Sequence, residues 1–240
     1  MTRLARAVCL ELTSQLRQRF LHAAVFSGLI WLAVLLPMPP GLRRAAEPYV
    51  LCGDITIIGF FFIAGAVFFE KQERTLGAVI CTPLRFFEYL FAKLLVLLMI
   101  SLGVAVVVVT VAHGLDYRVM PVLAGVTLGT LLMLLVGFVT SLPFASISDW
   151  FLAATIPLAV MNLPVLYLSG LWPHPVLYLL PMQGPLLLLG SAFGQLSLQA
   201  WQVAYAVGYP LLCVAGLCWA ARALFTRYVL AGDGAGSTGP

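Results

Sequence analysis

Six stretches of this sequence are each long and apolar enough to cross a lipid bilayer. They run from about Phe20 to Met38, Val50 to Phe69, Lys93 to His113, Val119 to Leu142, Trp150 to Ser169 and Ala200 to Ala221. A spanning helix needs ~20 mostly apolar residues to cover a hydrocarbon core ~30 Å thick. Backbone groups in lipid must be satisfied within the segment, so each stretch reads as a helix. Barrel strands would alternate apolar and polar residues, and Val104-Ala105-Val106-Val107-Val108-Val109 does not. Composition agrees: 62% of the 240 residues are hydrophobic, 9% are charged, and the mean hydropathy is +1.05. A soluble domain carries about 25% charged residues. Disorder is excluded because disordered chains are polar and charge-rich. Five cysteines in 240 residues do not make a disulfide scaffold. The fold class is therefore all-α: a polytopic membrane protein, with residues 1–228 as a single transmembrane domain.

The apolar stretch between Leu168 and Gly194 is different, because Pro173, Pro175, Pro181, Gly184 and Pro185 interrupt it. It reads as two short helices forming a re-entrant region over 169–199, before the last span. Such pieces persist only where protein or water covers them. Residues 1–19 are too polar to cross. Leu4, Val8, Leu12, Leu16 and Phe20 recur every four residues, which predicts an amphipathic interfacial helix. Residues 229–240 are Gly-rich and polar and read as a flexible tail. The basic residues set the orientation. With the N-terminus inside, Arg3, Arg6, Arg17, Arg19, Lys71, Arg74, Arg85, Lys93, Arg222 and Arg227 lie inside, and only Arg43, Arg44 and Arg118 outside. Both termini are thus expected on the cytoplasmic side of a membrane that the chain crosses several times. The first span is expected to be retained, since Arg44 occupies a position where signal cleavage at Ala46 needs a small residue.

The chain lacks the parts of an enzyme. No G-x-x-x-x-G-K-[ST] is present to hold nucleotide phosphates, and no H-E-x-x-H or G-x-S-x-G occurs. His22, His113 and His174 have no partner ligands at metal spacing. No catalytic, cofactor or metal residues are therefore assigned. Asp54 stands out, because an acid inside a span is expensive. Two readings stay open for it. It faces the bundle interior, where it meets a cationic group of a cargo, or it snorkels or caps the helix N-terminus. Its shallow depth favours the second. Phe61 and Phe62 are candidates to line a cargo path together with Asp54.

The segment Glu70–Lys93 concentrates charge, holding seven of the 22 Lys, Arg, Asp and Glu residues. Thr82-Pro83 reads as a helix start, with Thr as cap and Pro in the first turn. A charged helical protrusion of this kind suggests a docking surface. The run Phe69-Glu70-Lys71-Gln72-Glu73-Arg74-Thr75-Leu76-Gly77, then Thr82-Pro83-Leu84, Glu88 and Lys93, resembles the first cytoplasmic loop of ABC-2 type exporter permeases. Arg74 stands where that family commonly has Gly. The N-terminal interfacial helix, the six spans and the re-entrant region before the last span resemble the same family over essentially the whole chain. As a whole the sequence is similar to actinobacterial permeases assigned to fluoroquinolone export.

The resemblance implies one part of a larger machine: two permeases, the second a copy or a different chain, and separate ABC ATPase subunits. ATP and Mg would sit on the ATPase, with no cofactor bound by this chain. The segment 70–92 would be the coupling loop, with Glu70, Glu73, Arg74, Thr75, Leu76, Thr82, Pro83 and Leu84 docking the ATPase. The cargo would be a drug or other small amphipathic molecule, with membrane lipids around the chain and no nucleic acid involved. A haem-exporter B-like permease of cytochrome maturation and a non-transporting membrane scaffold are the other readings of this layout.

Overall fold

A computed structural model describes residues 3–73, 86–114 and 117–227, and among these residues there is no strand. Helix α1 covers Arg3–Arg17 and α2 covers Phe20–Leu35, bent from α1 by 67°. The bend is made at Arg19, which takes a left-handed φ of 62°. Helix α3 is continuous over Pro40–Gln72 and includes a π-helical stretch at Ile57–Phe62. Then follow α4 (Phe86–His113), α5 (Val119–Ser141), α6 (Ile147–Asn162) and the short α7 (Val165–Leu168). A 3-10 turn at Pro175–Leu179, α8 (Gln183–Ala192) and α9 (Ala200–Phe225) complete the chain.

Five of these helical stretches are long and apolar enough to cross a membrane, or six if the bent α1–α2 pair counts as one span. Taken alone, α2 has 16 residues, about 24 Å at 1.5 Å per residue. It stops at Leu35, ahead of Pro37, Pro39 and Pro40. Residues 40–49, which look like a polar loop, are instead helical: Pro39 precedes the helix and Pro40 opens α3. Proline at a first helical position loses no hydrogen bond. Likewise the structure shows one helix over Phe86–His113, so Glu88 is continuous with the span expected from Lys93. Between the fifth and last crossings, where two short helices are expected, the structure has a 3-10 turn followed by α8. Every residue of α8 is buried.

Helices in lipid gain little from burying apolar surface against one another, so close backbone approach and hydrogen bonds hold them together. The glycines show where this happens. A Cβ at Gly59 of α3 would lie 2.6 Å from Met133 of α5, and one at Gly137 of α5 would lie 2.6 Å from the Phe60 carbonyl. Around this contact Trp150 of α6 stacks on Phe60 at 5.3 Å, and its indole N–H donates to Thr140 at 3.2 Å. Gly184 presses α8 against α9, with its Cβ position 2.7 Å from the Ala206 carbonyl. Tyr209 donates to the Leu179 carbonyl at 2.6 Å, tying the 3-10 turn to α9. Ser101 and Thr130 hydrogen bond across α4 and α5 at 2.9 Å.

The amphipathic pattern of α1 is present with its faces set by an ion pair. Leu12 and Leu16 point outward, whereas Glu11 and Gln15 face the bundle. Residues 74–85, 115–116 and 228–240 lie outside the described residues. The expectations for Arg74, Thr75, Leu76, Thr82, Pro83 and Leu84, and for the tail, fall there.

Candidate functional site

At the end of the bundle that carries Glu70, four helices are joined by charges. Lys93 of α4 is fully buried. Its ammonium lies 2.6 Å from Glu70 Oε1 of α3 and 3.1 Å from Glu11 Oε1 of α1. Tyr89, one turn before Lys93, donates its hydroxyl to Glu70 Oε2, and Gln15 donates to Glu11 at 2.7 Å. One ammonium therefore serves two carboxylates, and the tyrosine hydroxyl supplies a further donor. A buried pair of this kind is tolerated only when the remaining oxygens are also satisfied.

Lys71 extends the same junction to α5. Its ammonium donates to the carbonyls of Ser141, Leu142 and Phe144 at 2.9, 2.8 and 2.7 Å. These carbonyls stand at and beyond the end of α5, where a helix exposes unpaired acceptors and favours a cation. Arg17 and Glu73 form a more exposed pair at 3.1 Å between α1 and the end of α3. Glu70 and Glu73, both expected at a docking surface, thus sit differently. The Glu70 side chain is largely buried among Lys93 and Tyr89, while that of Glu73 is 41% exposed.

At the opposite end, Arg43 donates to the carbonyls of Leu35, Leu36, Met38 and Ala112. One guanidinium thereby closes the ends of both α2 and α4. Its planar, multiple-donor fork suits this task better than a lysine. Beside it His113 Nδ1 lies 3.1 Å from the buried Glu47, and Arg44 lies 3.3 Å from His113 Nε2. Sequence spacing gave His113 no partner because Glu47 is 66 residues away. Among the described residues no group of three or more His, Cys, Asp and Glu side chains is placed to hold a metal.

Asp54 lies fourteen residues beyond Pro40 in α3 and is 2% exposed, so it neither caps the helix nor reaches the surface. Ser27 of α2 donates to it at 3.2 Å. Phe62 also faces α2, packing on Phe20 at 5.3 Å. Phe61 instead turns to α6, where it meets Trp150 and Phe151. Asp54 and Phe62 thus face α2, and Phe61 faces α6. A sequence signal did exist for the missed residues. Glu11 is an acid in a helix otherwise rich in arginine, and Ser27 is the one hydroxyl in an apolar α2.

Residues 2–233 match the model of the Fluoroquinolones export permease protein family. Two curated fluoroquinolones export permease proteins of Mycobacterium tuberculosis, from strains CDC 1551 / Oshkosh and ATCC 25618 / H37Rv, are each 71% identical over 235 residues. The alignments cover 98% of this chain and 99% of each relative. The chain belongs to this family.

Proposed function

From that membership we propose that the chain is the permease subunit of an ATP-binding cassette exporter. With a second permease it forms the path for an amphipathic drug, fluoroquinolones among them. The match over residues 2–233 carries the export reading. ATP and Mg bind a separate ATPase, for which the segment 70–92 is the docking element. The placement of its flanks supports this role. Glu70, Lys71 and Lys93, which flank residues 74–85 in sequence, belong to the junction that joins α1, α3, α4 and α5. A push on the segment would therefore reach four helices. An ATPase on that side places this end, and both termini, in the cytoplasm, with the chain in the inner membrane. Alternating access then amounts to shifting the bundle between two packed arrangements that ATP biases.

The test is co-purification with an ATPase encoded beside the permease gene, and drug export by the pair in proteoliposomes. ATP-dependent export is the expected result. Failure of the pair to associate, or export without ATP, overturns the reading. Glu73→Lys is the variant of choice for docking, because the Glu73 side chain is exposed and reverses charge without burying any.

A further inference from the structure

Two polar cavities lie side by side where α3 begins and α4 ends. One, of about 420 Å3, is lined by Arg43, Arg44 and His113 together with Pro40, Gly41 and Ala112. The other, of about 340 Å3, is lined by Arg44, His113, Tyr117, Arg118 and the end of α8 at Ala192–Gly194. Arg44 and His113 line both, so their contact is the partition between the two. Hydrogen bonds between elements fix the walls. Gln195 donates to the carbonyls of Arg44 and Ala45 at 2.9 and 3.1 Å, and the Arg118 backbone N–H donates to the Ala192 carbonyl at 3.4 Å.

The cavities are basic. Among the described residues the acid beside the three arginines is Glu47, which is 1% exposed and already paired with His113. Arg43 spends its donors on carbonyls. Among the described residues no hydrogen bond or ion pair engages the Arg118 side chain. Next to these polar positions stand apolar ones that are exposed: Leu42, Val111, Val119 and Met120. A basic cavity beside exposed apolar side chains, at the ends of spanning helices, matches an anionic amphiphile. Guanidinium forks suit phosphate oxygens, and basic pockets between spanning helices are seats for anionic headgroups.

The hydrogen bonds of His113 add a proton dependence. Arginine only donates, so His113 Nε2 accepts from Arg44 at 3.3 Å and Nδ1–H donates to Glu47 at 3.1 Å. The imidazole is neutral in this arrangement. A proton on Nε2 turns the acceptor into a donor, keeps the Glu47 pair and releases Arg44 from the partition. The charged and titratable groups facing His113 are Glu47, Arg43 and Arg44 of α3, and Tyr117 and Arg118 beyond α4. The end of α2 at Leu32–Leu36 has no titratable side chain, and α8 contributes Phe193, 5.9 Å from the imidazole. Asp116 lies outside the described residues.

We propose that these two cavities form a binding site for the phosphate of an anionic phospholipid, held by Arg118 and Arg44, and that protonation of His113 strengthens it by releasing Arg44. The acyl chains lie along the apolar rim. This goes beyond the export reading and stands independently of it.

The test uses the full-length permease in detergent, titrated with phosphatidylglycerol and with phosphatidylcholine of the same chains, the bound lipid read by native mass spectrometry. Arg118→Gln is expected to weaken phosphatidylglycerol binding about tenfold, one charge-assisted contact, and to leave phosphatidylcholine binding unchanged. Arg17→Gln, at the other end of the bundle, is expected to match the parent at this site. Inorganic phosphate is expected to compete only in large excess, because it has no chains for the rim. Lowering the pH from about 7.5 to about 5.5, across the range where histidine changes charge, is expected to tighten phosphatidylglycerol binding about tenfold in the parent and not in His113→Gln. If His113→Gln does not fold, Arg44→Gln is read for the same loss of pH response. Parental phosphatidylglycerol affinity in Arg118→Gln overturns the proposal, as does competition by phosphate at equal concentration. A pH response that survives in His113→Gln and Arg44→Gln, or that disappears in Asp116→Asn, overturns it as well.

Discussion

The Lys93 ammonium of α4 sits 2.6 Å from the Glu70 carboxylate of α3, out of contact with solvent. Glu11 completes the arrangement from α1. These three residues lie 82 positions apart at the extremes, so the contact is a long-range constraint rather than a local one.

Removing one partner of a buried pair leaves an uncompensated charge, at a cost of about 3–5 kcal/mol. Lys93→Met is therefore expected to lower the melting temperature of the detergent-solubilised protein sharply. Glu70→Gln combined with Lys93→Met is expected to recover part of the loss, because only Glu11 is then left without its cation. Melting curves of the two single variants and the double variant measure the coupling. A double variant as unstable as the sum of the singles would mean that the pair does not act as a unit.

The Arg17–Glu73 pair makes the contrasting case. Its arginine side chain is 76% exposed, and exposed pairs contribute about 0–1 kcal/mol. Arg17→Ala and Glu73→Lys should leave the melting temperature nearly unchanged. Any loss of ATPase co-purification in Glu73→Lys then reports docking and not unfolding.

Lys71 donates to three carbonyls at the end of α5, and Lys71→Ala leaves all three without that donor. Hydrogen bonds to charged groups contribute about 1.5–3 kcal/mol in proteins. The expected signature is faster amide exchange around residues 141–146, with α9 unaffected, read by hydrogen–deuterium exchange. Uniform protection across both regions would remove Lys71 from the junction.

Close packing predicts a graded glycine series. Gly137→Ala places a methyl 2.6 Å from a backbone carbonyl that cannot move aside, whereas Gly216→Ala meets nothing within 4 Å. The first should lose folded yield and the second should match the parent. The readout is the monodisperse fraction recovered after membrane extraction.

Much of the architecture was legible because lipid narrows the choices so severely. The apolar runs, the prolines that keep 169–199 from crossing and the four-residue period of α1 all report backbone satisfaction or burial, which are local properties. The misjudged places have a common physical cause. Hydropathy finds where a helix enters hydrocarbon, not where its hydrogen bonding begins. Residues 40–49 and 86–92 thus lie outside the apolar stretches although α3 and α4 extend through them. The same shift made Asp54 look shallow when its helix had already run fourteen residues. Partnerships such as Glu47 with His113, or Glu11 with Lys93, depend on which helices become neighbours. No spacing along the chain encodes that.

The π-helical stretch in α3 has a consequence for phase. A regular helix turns about 100° per residue, and a π turn holds an extra residue, so it works as an angular offset between the two halves of the rod. Upstream of Ile57–Phe62, Asp54 is aimed at α2. Downstream, Glu70 and Lys71 are aimed at α4 and α5. Winding the same residues as a regular helix would swing one half against the other by about 100°, so both sets of partners could not be met at once. The wide turn thus works as an indexing device, setting the buried Asp54 carboxyl and the charged junction to their separate bearings along one continuous helix.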